Sequence, residues 1–113
     1  MGPLELAHTY MDCFFGKASL DNMEKILSDE LYFEGPLYTF TSAADYLTSL
    51  KNNPPEDVSY KIINEYENKT SACLIYHFIK PGINTLMAQC FEVKLECDRI
   101  SRINLIFDTS KFI

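Results

Sequence analysis

The groups in this chain that could do chemistry are few and scattered. Cys13, Cys73, Cys90 and Cys97 form no C-x-x-C pair, and only His8 and His77 could join them around a metal. A structural zinc site needs clustered ligands at short spacings, so the cysteines read as small buried hydrophobes in a reducing compartment. Glu5, His8 and Asp12 share one face of a helical pattern, but nothing else in the sequence completes a ligand set. That face reads as solvated, and no metal or cofactor is expected. No serine stands at a recognisable spacing from a histidine, so no nucleophilic triad is visible.

Three groups could carry acid–base work. His77 lies in an apolar strand and could titrate near neutrality. Glu92, between Cys90 and Lys94, could be an inward carboxylate with a raised pKa, although both it and Lys94 read better as outward polar residues. Glu34 ends a short strand just before Gly35-Pro36. Gln89 differs from these. It alternates with Met87, Phe91 and Val93 on an apolar face, and a polar group on an inward face must find a partner, in the protein or in a ligand. Aromatic residues make up 13% of the chain, all Tyr and Phe, enough to line a cavity suited to a flat, mildly polar molecule.

These residues need elements to position them. Leu4, Ala7, Met11 and Phe14 recur at helical spacing over residues 4–15, and Gly16 stops the helix. Ser19 caps a short second helix with Leu20, Met23, Ile26 and Leu27 inward. Leu31-Tyr32-Phe33-Glu34 reads as a strand. Ser42 with Asp45 resembles a capping box opening a third helix with Ala43, Tyr46, Leu47 and Leu50 inward, ended by Asn52-Asn53-Pro54-Pro55. The period then changes to two. Residues 58–66, 72–79, 85–95 and 100–108 read as four long antiparallel strands joined by short turns, and Asn68-Lys69-Thr70, a sequon in form, reads as one of those turns.

Strands of about ten residues span roughly 33 Å, so such a sheet must twist and curl, with the helices covering its concave side. The strand over 72–79 is apolar on both faces. Cys73, Ile75, His77 and Ile79 therefore have no helix left to cover them, which predicts a homodimer through the convex face.

With 113 residues the chain is one domain, 1–113, and 47% hydrophobic with 23% charged content is globular material. A net charge of -6 with dispersed lysines argues against nucleic acid. No apolar run reaches the ~18–20 residues of a membrane span. No secretory signal is visible, and Leu6 stands where a myristoylation start wants Ser or Thr. The expectation is a soluble, cytoplasmic protein.

The order helix, helix, short strand, helix and four long strands resembles the nuclear-transport-factor-2-like superfamily, and within it the SnoaL-like proteins. The residues that carry the resemblance are Leu4–Phe15, Phe33-Glu34-Gly35-Pro36, the hairpin from Phe91-Glu92-Val93-Lys94 to Arg99-Ile100-Ser101-Arg102-Ile103, and Leu105-Ile106-Phe107-Asp108. The resemblance implies an α+β cone, in which three N-terminal helices pack in the concave face of a highly curved, mixed but mostly antiparallel sheet. It also implies a pocket between them and often a sheet-to-sheet homodimer. The family includes polyketide cyclases, ketosteroid isomerases, epoxide hydrolases and dehydratases, so fold does not settle function.

The resemblance marks two positions for a working Asp. The isomerases' general base precedes the Pro of the turn, which here is Gly35. Glu34 beside it points to the other face unless the strand is shifted. The epoxide hydrolases' Asp falls at Leu105, on a face read as apolar with Ser101, Ile103 and Phe107, while Arg102, Asn104 and Asp108 lie opposite. The isomerases' helix-one tyrosine matches Tyr10.

The reading is a domain that binds a small apolar molecule in a pocket walled by Tyr10, Phe14, Phe33, Tyr46, Met87, Gln89 and Phe91, with catalysis open. The alternatives are a non-catalytic homodimeric interaction module, or a cyclase or isomerase with displaced acid–base residues.

Overall fold

The computed structural model describes residues 1–112. Helix α1 (Pro3–Phe14) has Pro at its first turn, where a missing N–H costs nothing. Its N-terminal Gly2 has no side chain to cap it, and the Glu67 carboxylate, far along the chain, accepts from the Leu4 N–H at 2.9 Å instead. At the other end Gly16 turns the chain at φ +83°, and the Asp12 carbonyl collects the N–H groups of Lys17 and Ala18. Helix α2 (Leu20–Glu24) is capped by the Ser19 hydroxyl on the Asp21 N–H, and α3 (Ala43–Asn52) by Ser42 on the Asp45 N–H.

The strands are β1 (Leu27–Glu34), β2 (Thr39–Phe40), β3 (Ser59–Glu67), β4 (Ser71–Lys80), β5 (Ile83–Lys94) and β6 (Arg99–Phe107). They form one sheet in the order β2-β1-β6-β5-β4-β3, with β1 parallel to β6 and every other pair antiparallel. The sheet curls round the helices but does not close, so β2 and β3 remain edges. Helix α1 lies over β3, β4 and β5, and α3 over β1 and β2. The core between them includes Leu6, Met11, Met23, Leu31, Leu74, Phe91, Ile100 and Ile103.

Four details differ from the sequence expectation. Ile26 and Leu27 do not extend α2. Ile26 leads into β1 and Leu27 opens it, because the Ile26 carbonyl takes the Ile100 N–H at 2.7 Å and Leu27 registers with Ile100. The two-residue β2 is too short to leave a periodic signal; it folds back on Phe33 and Glu34, with Gly35 N–H donating to the Tyr38 carbonyl. In β3 the alternation is broken at Ile63, where the register shifts. Beyond that bulge Glu65 and Glu67 take the concave side opposite Leu74 and Ala72, and Tyr66 goes to the convex side opposite Cys73. This shift lets Glu65 meet His8 at 2.7 Å and Glu67 reach the start of α1. A second shift, with Val93 opposite Ile100 and Glu92 opposite Arg102, makes Ser101 the extra residue, and Ile100 rather than Ser101 fills the inward place.

Among the described residues, no helix is long and apolar enough to cross a membrane. Gly16 has open space around the position a Cβ would occupy, so its replacement tests backbone strain alone. Gly16→Ala should destabilise the fold by roughly 1–2 kcal/mol through the left-handed conformation it forces on a residue with a side chain. An unchanged urea midpoint would contradict this reading of the helix end.

Candidate functional site

The curled sheet and α3 enclose a cavity of about 370 Å³. Each element contributes by its own periodicity. Tyr10 and Phe14 stand one turn apart on the sheet-facing stripe of α1. Tyr46 and Leu50 come from the inward side of α3, and the exposed Ser49 lies beside them. Tyr76 and Phe78, Met87 and Gln89, and Leu105 and Phe107 are alternate residues of β4, β5 and β6. Phe33, Gly35, Pro36, Leu37, Tyr38 and Phe40 from the β1–β2 hairpin form the rim. Among the described residues, the wall contains no Asp, Glu, His, Lys, Arg or Cys.

Its buried polar groups are gathered in one place, while Tyr38, Ser49 and Asn53 stand elsewhere on the wall. The Tyr10 and Tyr46 hydroxyls share a hydrogen bond, and the Tyr76 hydroxyl donates to Gln89 Oε1 at 2.7 Å. All four side chains are at most 3% exposed. Burial pushes Tyr10 up to about 12, an effect partly offset by its hydrogen bonds to Tyr46 and Gln89. Burial also raises Tyr46 and Tyr76, both well above the ordinary tyrosine value. All three hydroxyls therefore keep their protons at neutral pH and serve as donors. They are too weakly acidic to act as anions and carry no basic lone pair of useful strength.

Much of the rest of the wall is ring surface. Phe33 stacks on Tyr46 with centroids 4.9 Å apart, and Phe40 tilts against Tyr46 at 5.3 Å. Phe112, just past the short 3₁₀ turn Thr109–Lys111, packs on Phe107 at 5.2 Å and Phe78 at 5.9 Å, closing the end of the cavity.

Six of the residues expected in the wall meet there: Tyr10, Phe14, Phe33, Tyr46, Met87 and Gln89. Phe91 does not. It points inward but lies fully buried behind Tyr10, whose ring packs edge-on to it at 5.2 Å. Tyr76 carried a legible signal in its inward alternation. Phe112 and the residues beyond α3, Asn53 and Pro55, carried none, since they belong to no periodic element.

The acid–base candidates lie elsewhere. Gly35 and Leu105, the two positions marked for a working Asp, both line the cavity. Glu34 is exposed at the end of β1, accepting from the Tyr32 hydroxyl at 3.1 Å. His77 and Glu92 sit on the convex face; His77 Nδ1 is buried without a hydrogen-bond partner, and Glu92 lies 4.0 Å from the Arg102 guanidinium. Asp108 caps the terminal turn through the Ser110 N–H, which lowers its pKa. Of the trio on α1, His8 pairs with Glu65. Among the described residues no three His, Cys, Asp or Glu side chains converge as a metal would require. An open groove of similar volume, about 390 Å³, lies between Ser28–Glu30 and Lys94–Arg99. Its cations are already engaged: Arg99 donates to the Glu24 and Leu27 carbonyls, and Lys94 to Glu30. The aromatic cavity is the better site.

No family model matches the sequence, and no curated protein matches it. Solved structures do. A nuclear-transport-factor-2-like protein of unknown function from Cytophaga hutchinsonii superposes with a TM-score of 0.79 at 16% identity, over 94% of this chain and 89% of that one. An LEH-like epoxide hydrolase from M. tuberculosis gives 0.77 at 16% identity, over 93% and 81%. A protein of the SnoaL-like family from Agrobacterium tumefaciens gives 0.71 at 13% identity, over 93% and 96%. At these identities the likeness is one of fold, and the fold is the nuclear-transport-factor-2-like α+β cone.

The buried tyrosines make the fold alkali-sensitive. Folded, they hold their protons more tightly than in the unfolded chain, where tyrosine ionises near 10. The stability they contribute is whole below that pH and is lost as pH rises through the folded values, about 12 for Tyr10. Urea midpoints should fall steeply from pH 10 upward, and Tyr46→Phe should shift that fall. A midpoint flat through this window would contradict the burial of the cluster.

Proposed function

We propose that this chain binds one small, flat, largely apolar molecule carrying a carbonyl or hydroxyl oxygen, and that it does so without acid–base catalysis. The observation that carries the reading is the composition of the cavity wall: mostly aromatic and aliphatic surface, one buried cluster of Tyr and Gln groups, Ser49 and Asn53 as further polar residues, and, among the described residues, no carboxylate, imidazole or thiol. The Tyr–Gln cluster would hold the ligand oxygen and the stacked rings its plane. Met87, unbranched and polarizable, would adapt its stretch of wall to the ligand.

The fold neighbours include an epoxide hydrolase. That chemistry, or proton abstraction, needs a carboxylate or imidazole in the cavity. Here Gly35 and Leu105 occupy the places marked for it, and Glu34, His77 and Glu92 lie outside. A general base contributes about 10²–10⁴ in rate, so neither ketosteroid isomerisation nor epoxide hydrolysis should exceed background. We place the protein in the cytoplasm, in keeping with its four free thiols.

A second copy of the chain is the proposed partner, seated on the convex face. Ile63, Tyr66, Leu86 and Ile106 stand exposed there beside the half-buried Ile75, His77 and Ile79, an apolar area that one helical layer on the other side cannot cover. Ile106 alone is 66% exposed. Ile106→Glu should shift sedimentation from dimer to monomer at micromolar concentration. A wild-type monomer under those conditions would overturn the dimer.

Binding is tested by calorimetry with 2-naphthol, a planar phenol, as the probe. Wild type should bind it, and Gln89→Leu should weaken it by about 1–3 kcal/mol through the lost hydrogen bond. Leu105→Trp, which fills the cavity, should abolish binding. Equal affinity in all three proteins would overturn the reading. So would turnover of an epoxide or a ketosteroid that Glu34→Gln abolishes.

A further inference from the structure

Cys73 and Cys90 face each other across β4 and β5 as direct register partners, with their Sγ atoms 3.0 Å apart. The backbone is already right for a covalent link. The Val93 N–H donates to the Thr70 carbonyl, so Thr70 and Val93 form a hydrogen-bonded pair. Three steps along the ladder, Cys73 and Cys90 fall at a non-hydrogen-bonded position. Opposed Cα atoms there approach to about 4.5 Å, within the roughly 4.4–6.8 Å that a disulfide spans. Both thiols are half-buried on the convex face, whereas Cys13 is buried and Cys97 stands in the β5–β6 turn.

We propose that Cys73 and Cys90 are a reversible two-electron redox site, oxidised by a hydroperoxide or by glutathione disulfide and reduced by a small thiol. With a hydroperoxide, the Cys90 sulfur attacks the terminal peroxide oxygen as its proton leaves. The O–O bond breaks, the departing oxygen takes a proton as water or alcohol, and Cys90 becomes a sulfenic acid. The Cys73 sulfur then attacks the Cys90 sulfur, the S–S bond forms, and the S–O bond breaks. The hydroxide released carries off the Cys73 proton as water. Two thiols are oxidised and one peroxide is reduced. Burial and the neighbouring Cys90 raise the Cys73 thiol above its ordinary value.

The bond would close the loop around the β4–β5 turn and restrict the unfolded chain, so the oxidised protein should melt several degrees higher. The proposal does not rest on the cavity's ligand or on the dimer.

The test equilibrates the full chain in glutathione redox buffers, followed by acid quench, alkylation and mass spectrometry. The expected result is loss of two hydrogens from the intact mass, with a linked Cys73–Cys90 peptide, reversed by dithiothreitol. Cys73→Ser should leave Cys90 capped singly by glutathione. Ile75→Lys, which opens the convex face, is run in parallel so that coverage by a second copy cannot hide the thiols. Both thiols remaining alkylatable at the most oxidising poise in both proteins, or only mixed glutathione disulfides forming, would overturn the proposal.

Discussion

Four polar groups buried in an apolar interior must be satisfied by one another or by a ligand, and the architecture follows from that constraint. The hydroxyls of Tyr10, Tyr46 and Tyr76 and the Gln89 amide come from α1, α3, β4 and β5. One hydrogen bond joins α1 to α3 and the other joins β4 to β5, and an unpaired member would cost the full desolvation of a buried polar group. A sheet of strands up to 12 residues long curls too strongly for straight helices to fill its concave side. Helix α1 fills one end with Leu6, Ala7 and Met11, and the other end stays open as the cavity.

The bulges let this geometry form. The shift at Ile63 turns Glu65 and Glu67 toward α1, where they hold His8 and the helix start. The shift at Ser101 keeps Ile100 and Val93 in the core while leaving Leu105 and Phe107 on the cavity wall. The last two strands can thus serve the packed end and the open end at once.

How much of this was legible in the sequence depends on whether a residue sits in a regular period. Tyr10 and Phe14 at helical spacing, and Met87 and Gln89 at strand spacing, could be assigned inward without coordinates. Phe91 obeys the same alternation, yet its place behind Tyr10 depends on how deeply α1 sits, which no period encodes. The bulge at Ile63 left a trace in the sequence, two apolar residues, Ile62-Ile63, followed by two polar ones, Asn64-Glu65, which a strict period of two passes over. Thr39-Phe40 and Phe112 lie in segments too short to repeat. Ile26 and Leu27 suit a helix or a strand equally well, and only the β6 partner decides between them.

The central claim is that the Tyr–Gln cluster and its aromatic walls form a ligand site rather than tightly packed core. The most direct measurement is a titration followed through the methionine methyl signals by NMR, with 2-naphthol as the probe. Met87 lines the cavity, while Met11 and Met23 lie fully buried in the core. The account predicts a saturable ring-current shift of the Met87 methyl that leaves the two core methyls in place. No shift at Met87, or equal shifts at all three, would contradict it.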